Sequence, residues 1–296
     1  MKLFYEGKDI SDDISIRSAK VIDRAGEKLD AIELEVNNPE NEWSEWEPKK
    51  NHQVIIEKDG FSSGIMYIQS IRQLKGTVKI ICLPIKEESK EKYTKSWENV
   101  TIMELLNEIA TKHVLKLKTY NLTNHRYRFI SQVDESDFVF LHHRCLLEGY
   151  VMKVTDNCLV VYDERWIETQ VPIPIEYSEV IGEFTYNESA TKVYGSAKIG
   201  EHLFNSPDHK GPVLLVDATA SSIGEADRFA KNSLRALNKY ENKMQFSIKF
   251  NPGIAAGCMV ETKGFGMGDH LYYAYTVEQN PTQDITTLML RTVPRW

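Results

Sequence analysis

Ala31-Ile32-Glu33-Leu34-Glu35-Val36, closing on Asn38-Pro39, alternates apolar and acidic residues, and far downstream Phe246-Ser247-Ile248-Lys249-Phe250 closes on Asn251-Pro252. Alternation of this kind marks a strand with one buried face. The segments downstream of the two runs match as well. After the first come Ile55-Ile56-Glu57-Lys58-Asp59-Gly60, then Tyr67-Ile68-Gln69-Ser70-Ile71, then a closing strand from Val78 to Leu83. After the second come Met259-Val260-Glu261-Thr262-Lys263-Gly264, then Tyr273-Ala274-Tyr275-Thr276-Val277, then Thr287-Leu288-Met289-Leu290. An internal repeat reshapes every other assignment. Here it predicts one antiparallel β module, a barrel or sandwich, present twice. Glu57 should superpose on Glu261 and Gly60 on Gly264, and a merging of the two ends into one sheet would count against the duplication.

Length and charge agree with two or more units. The chain has 296 residues, against a prior of roughly 150 per domain. With 36 Lys and Arg against 43 Asp and Glu, its net charge is −7. That balance argues against a sequence-independent grip on nucleic acid, which needs a basic face, and no motif for reading a specific sequence is present. No apolar stretch approaches the ~20 residues of a membrane span. Met1-Lys2-Leu3-Phe4-Tyr5-Glu6-Gly7 lacks the apolar core of a signal peptide. No membrane anchor is therefore expected, and the chain is expected to fold in the cytoplasm. Cys82, Cys145, Cys158 and Cys258 lie far apart in apolar runs, which fits buried free thiols better than disulfides or a zinc site.

Between the repeats the pattern changes. Lys86 to Lys95 is almost wholly polar and reads as a linker. Thr101-Ile102-Met103-Glu104 fits a helix capping box, and Ile102, Leu105, Leu106, Ile109 and Val114 occur at helical spacing. A second helix is predicted from about Glu135 to Glu148, with Phe138, Leu141 and Cys145 as its stripe and Gly149 at the left-handed position after it. Tyr150 to Val154 and Leu159 to Tyr162 read as a hairpin. Further on, Ser222-Ile223-Gly224-Glu225 opens a helix whose face carries Ile223, Ala226, Phe229, Ala230, Leu234 and Leu237. The first copy has no counterpart to this helix. The fold class is thus mainly β with an α+β insert. The first β domain is expected at 1–94, the insert at 95–170, and the second β domain at 175–296 with its helix at 222–240. The stretch from Val171 to Val193 is open to a second assignment, as the completion of the first module.

Reactive chemistry is sparse. Gly264-Phe265-Gly266-Met267-Gly268 hints at a phosphate loop, but a strand comes after it where a dinucleotide fingerprint requires a helix. His142 and Cys145 lie three apart on a helix; a metal needs three or four ligands, and no partner cluster is visible. Asp134, Glu135 and Asp137 crowd a helix start, where the macrodipole already accounts for carboxylates. Neither a serine elbow nor a local Cys–His signature occurs. No catalytic residue, metal or cofactor is expected.

The middle of the chain carries a family resemblance. Trp97 precedes the first helix; Glu135-Ser136-Asp137-Phe138-Val139-Phe140-Leu141 opens the second; Glu148-Gly149-Tyr150 ends it; Leu159-Val160-Val161-Tyr162 comes next as a strand. In this order the segment resembles the late-control D family, the baseplate hub proteins of contractile phage tails and phage-tail-like bacteriocins, related to the hub of type VI secretion spikes. The resemblance implies two domains of tail-tube type per chain. It implies a homotrimer that adapts a six-fold tube to a three-fold spike. The implied partners are tail tube subunits or a tube initiator, the central spike protein and baseplate wedge components. It also implies a place in the released virion or tail-like particle. The chain reaches Trp296 just after its closing strand, so spike and lytic activities are expected on separate chains. The alternatives are a tail-associated cell-wall hydrolase and another structural tail part such as a tube initiator. The candidate assembly contacts are the two hairpin tips read as equivalent: Gly264, Phe265, Gly266, Met267, Gly268 and Asp269, with Lys58, Asp59, Gly60 and Phe61. Shortening the 264–269 tip is expected to leave the fold near wild-type stability but to block joining to tube or spike.

Overall fold

A computed structural model describes residues 1–26, 28–39, 47–189 and 193–296. The first strand set is β1 (Lys2–Tyr5), β2 (Lys8–Asp9), β3 (Ile16–Arg24), β4 (Ala31–Asn37), β5 (Gln53–Lys58), β6 (Phe61–Ser62), β7 (Met66–Leu74) and β8 (Thr77–Leu83). The middle holds β9 (Lys92–Thr101), α1 (Ile102–Lys112), β10 (Lys116–Tyr120), β11 (Arg126–Ser136), α2 (Asp137–Glu148), β12 (Tyr150–Thr155), β13 (Cys158–Asp163) and α3 (Glu164–Ile167). The rest is β14 (Ile173–Glu176), β15 (Val180–Glu188), β16 (Ser196–Ile199), β17 (His202–Asn205), β18 (Val213–Leu215), α4 (Ile223–Asn238), β19 (Asn242–Lys249), β20 (Met259–Lys263), β21 (Leu271–Asn280) and β22 (Ile285–Thr292).

The repeat is written into the strand order. The first set runs β3-β4-β8-β7-β5-β1 across the sheet and the second runs β15-β19-β22-β21-β20-β14. Each of the six strands occupies the same place across the sheet in its own set. Even the irregularities coincide. The β7–β8 ladder shifts between Ile68 and Ser70, and the β21–β22 ladder shifts between Ala274 and Thr276. Because Gln53 pairs with Tyr67 and Met259 with Tyr273, β5 and β20 share a register. That register sets Glu57 against Lys263 and Gly60 against Gly266, so the expected match of Glu57 with Glu261 and Gly60 with Gly264 is two residues out. The error arises because an isolated Glu and Gly weigh less than burial. Val54 and Val260 are both inward, as are Ile56 and Thr262. One pairing differs: β1 runs antiparallel to β5, whereas β14 runs parallel to β20.

The two ends do join one sheet, contrary to the sequence expectation, because β3 pairs with β21 through residues 21–24 and 276–279. The strands of the two sets are not interleaved, however, and each set keeps its own core. Leu3, Ile32, Leu34, Ile56, Ile68 and Ile80 meet in the first; Phe246, Val260, Tyr272, Tyr273, Leu288 and Leu290 meet in the second. Along β4, Ile32, Leu34 and Val36 point inward while Glu33 and Glu35 point outward. Each such aliphatic burial contributes about 1.5–3 kcal/mol before entropy is counted. The stretch considered as a completion of the first module adds to the second instead, through β14 on β20 and β15 on β19; its residues 190–192 lie outside the described residues.

The middle unit has a third core. Thr101 caps α1, its Oγ1 accepting from Glu104 N at 3.2 Å while Glu104 Oε2 accepts from Thr101 N at 2.7 Å. The helix stops at Lys112, so Val114, placed on its stripe from spacing, is 87% exposed. Gly149 ends α2 at φ +79°, and a Cβ there would lie 2.9 Å from Asn232 Oδ1. The polar run read as a linker is strand β9 from Lys92 onward, paired with β11. Helix α4 buries Ala226, Phe229, Ala230 and Leu234 in this same core, beside Leu105, Leu141 and Ala197. Packing thus sets α4 against the middle unit and not, as expected, within the second β module; Ile223 and Leu237, at the ends of its predicted stripe, are exposed.

Candidate assembly surfaces and buried junctions

Gly264–Asp269 is a closed turn more than a free tip. Phe265 inserts among Phe246, Phe184 and Tyr177, with ring centroids 5.2, 5.3 and 5.5 Å away. Gly268 O accepts from Thr262 Oγ1 at 2.6 Å and Tyr272 OH at 3.0 Å. Phe265 N donates to Asp269 Oδ1 at 2.8 Å. Gly264 sits at φ +84° with Tyr177 against the position a Cβ would take. Gly266–Gly268 forms a 3-10 turn, and what it presents to solvent is Met267, 77% exposed.

Lys58–Phe61 takes the place of Gly264–Met267 in the strand register, as expected, but packs differently. Lys58 Nζ donates to Pro281 O and Asp284 Oδ1, each at 2.8 Å, and lies 5.0 Å from the centroid of the Phe250 ring. Phe61 meets Phe250 edge to face. Asp59 and Gly60 turn the chain at φ 49° and 86°. This tip therefore clamps the first module to the β21–β22 turn of the second.

The residues weighed for chemistry do not converge. Asp137 is buried and accepts from Lys112 Nζ at 2.7 Å, Gln132 Nε2 at 3.1 Å and His113 Nε2 at 2.8 Å. Burial opposes its charge, yet the hydrogen bonds from Lys112, Gln132 and His113 hold it below its ordinary pKa. Asp134 pairs with Lys92 at 3.2 Å in the open, and Glu135 faces His143 at 3.4 Å. Cys145 lies in the core, where burial pushes its thiol up to about 12; His142, three residues earlier, is half-buried. Among the described residues no three His, Cys, Asp or Glu side chains gather as a metal set, and no helix is long and apolar enough to cross a membrane.

Two buried charge clusters weld the units together, and sequence reasoning missed both. In the first, Lys153 on β12 pairs with Asp23 on β3 and lies 3.5 Å from Asp30. Asp23 Oδ2 also accepts from Ala256 N at 2.8 Å, so one carboxylate ties the first module, the insert and the second module. Burial pushes Asp30 up to about 7 against the pull of Lys153. In the second, Arg291, wholly buried on β22, contacts Glu164 at 3.0 Å and Glu168 at 2.8 Å over the Tyr273 ring. Lys239 meets Glu164 at 2.8 Å, and Arg235 meets Glu168. Burial opposes the charge on Glu164, but Lys239 and Arg291 hold its carboxyl far below the usual range. The only trace in the sequence is a lone charge inside an apolar strand, Arg291 after Leu288-Met289-Leu290 and Lys153 within Tyr150–Val154.

This mainly β architecture is the fold of phage tail proteins, in agreement with the resemblance read from the sequence. It superposes on the 43 kDa tail protein of prophage MuSo2 from Shewanella oneidensis with a TM-score of 0.73 and 11% identity, over 98% of this chain and 96% of that one. It superposes on a tail protein of Neisseria meningitidis MC58 with a TM-score of 0.75 and 13% identity, over 100% and 96%. A type VI secretion component of E. coli, itself similar in structure to T4 bacteriophage tail proteins gp27 and gp5, matches with a TM-score of 0.67 and 8% identity, over 100% and 78%. No family model matches the chain, and no curated protein does.

Proposed function

We propose that this chain is the central hub of a contractile tail baseplate, a structural protein without catalytic residues, assembled as a homotrimer in the bacterial cytoplasm and carried in the finished particle. The observation that carries the proposal is the doubled module. Two β units of one strand order lie side by side in a single chain, so three chains present six such units. A three-fold object built this way can meet a six-fold tube on one side and a trimeric spike on the other. Its partners are then tube subunits or a tube initiator, the central spike and wedge components. The candidate contacts to tube or spike are the exposed residues of the two tips, Asp59 and Gly60 on the first and Gly264, Gly266, Met267 and Asp269 on the second. Obligate assemblies of this type bury upwards of ~2,000 Å² per interface. Mass measurement of the purified protein tests the proposal. A three-chain species is expected; a six-chain ring would favour a tube initiator instead.

A further inference from the structure

The two modules differ at one place that their shared strand order makes conspicuous. In the second module β21 has β22 on one side throughout. On its other side β20 covers the start, as far as Tyr273, and β3 of the first module covers residues 276–279. In the first module the equivalent strand, β7, has β8 on one side throughout, and β5 pairs with its other side at Met66 and Tyr67. Beyond that point, at Ser70–Arg72, no strand among the described residues takes the place that β3 takes on β21. Exposure records the difference. Val277 is fully buried, and its ladder equivalent Ile71 is 37% exposed.

The strand that would fill this gap is identifiable by the same equivalence. The counterpart of β3 in the second module is β15, which pairs with β19 alone among the described residues and whose outward residues are mostly exposed. By the ladders, Val21 corresponds to Tyr186, Ile22 to Asn187 and Asp23 to Glu188. We propose that the open edge of β7 receives β15 of a second copy of this chain, antiparallel, with Ile71 opposite Glu188 and Arg72 opposite Asn187. This joint repeats between chains the joint that β3 and β21 make within one. In this register Arg72 and Glu188 lie on opposite faces, so the joint rests on the strand equivalence and not on charge pairing. Unpaired strand edges are templates for such addition. Because the two surfaces are different, the contact is head-to-tail and propagates until rotation closes a ring. The register stands on the ladders alone; closure at three copies rests on the hub reading.

Cysteine pairs test the register, since facing residues of an antiparallel pair stand about 4.5–5.5 Å apart at Cα, within the span of a disulfide. Under mild oxidation the double variant Ile71→Cys/Glu188→Cys is expected to form covalent oligomers. Neither single variant should do so alone, and the two singles co-expressed should link to each other. The pair Ile71→Cys/Asn187→Cys, one residue out of register, should link at least tenfold more slowly. All positions are exposed, and melting curves establish that each variant folds. The proposal is overturned by folded double variants that stay uncross-linked at every concentration, by Ile71→Cys linking to itself, or by equal rates in and out of register. Three-chain assemblies without the cross-link would sink this joint and leave the hub reading standing. Cross-linked rings of another number would keep the joint and sink the trimer.

Discussion

The buried cluster around Arg291 yields a counter-intuitive order of mutational costs. Three cations, Arg291, Arg235 and Lys239, contact two carboxylates, Glu164 and Glu168. Arg291 is the most buried of them, at 0% exposure, and the naive expectation is that its loss is the worst. Counting charge gives the reverse. Arg291→Met leaves Arg235 on Glu168 and Lys239 on Glu164, one cation for each carboxylate, while the methionine fills much of the aliphatic space over Tyr273. The loss is then about 1.5–3 kcal/mol, the net worth of hydrogen bonds to a charged group. Glu168→Gln instead leaves three cations around one carboxylate, and an uncompensated buried charge costs about 3–5 kcal/mol. Combining the two substitutions restores two cations against one carboxylate and should cost less than their sum, since partners in one network are coupled. Urea unfolding monitored by tryptophan fluorescence reads all three. If Arg291→Met is as costly as Glu168→Gln, net charge does not govern this site and the reasoning fails.

Three further outcomes are expected. Asp30, pushed up to about 7 from an ordinary 3.8, binds its proton more tightly folded than unfolded. Its contribution is therefore fully present below about pH 4 and lost as pH rises through about 7; melting temperatures from pH 5 to 8 should fall more steeply for the wild type than for Asp30→Asn. Phe265→Ala should cost about 3–5 kcal/mol, as for other buried aromatics, and Met267→Ala should stay within about 0.5 kcal/mol, which replaces the expectation that shortening this turn leaves stability near wild type; thermal shift assays compare the two. Burial raises the Cys82 and Cys145 thiols to about 12, so alkylation at pH 8, read by mass spectrometry, should need urea, and rapid labelling of the native protein would contradict their burial.

The strands were legible because alternation is local. Ile32, Leu34 and Val36 face one core and Met244, Phe246 and Ile248 another, and each set shows its period without reference to anything distant. The α1 cap and the Gly149 turn were legible for the same reason, since both lie within a few residues of what they satisfy. Register across the repeat was not, because a two-residue slip keeps every side chain on its own face and costs the pattern nothing. The clamp at Lys58 was invisible for a different reason. A lysine before Asp59-Gly60 reads as a solvated hairpin tip, and only the fold brings Pro281 and Asp284 to it. The same holds for Asp23, whose partners Lys153 and Ala256 lie in two other units.

Helix α4 shows how the duplicated module and the middle unit fit together. In the first module β3 passes to β4 through a short connection, whereas in the second the equivalent passage from β15 to β19 contains β16, β17, β18 and α4. Lengthening a loop adds little closure entropy, about 0.6 kcal/mol for each doubling, so the second module keeps its strand order despite the excursion. The excursion in turn supplies Ala197, Phe229 and Leu234 to the core begun by α1 and α2. The absence of this helix from the first copy is therefore no defect in the repeat. The middle core is assembled from two excursions, one between β8 and β14 and one between β15 and β19. The β modules that bracket them are welded to the middle unit by Asp23, Lys153 and Arg291.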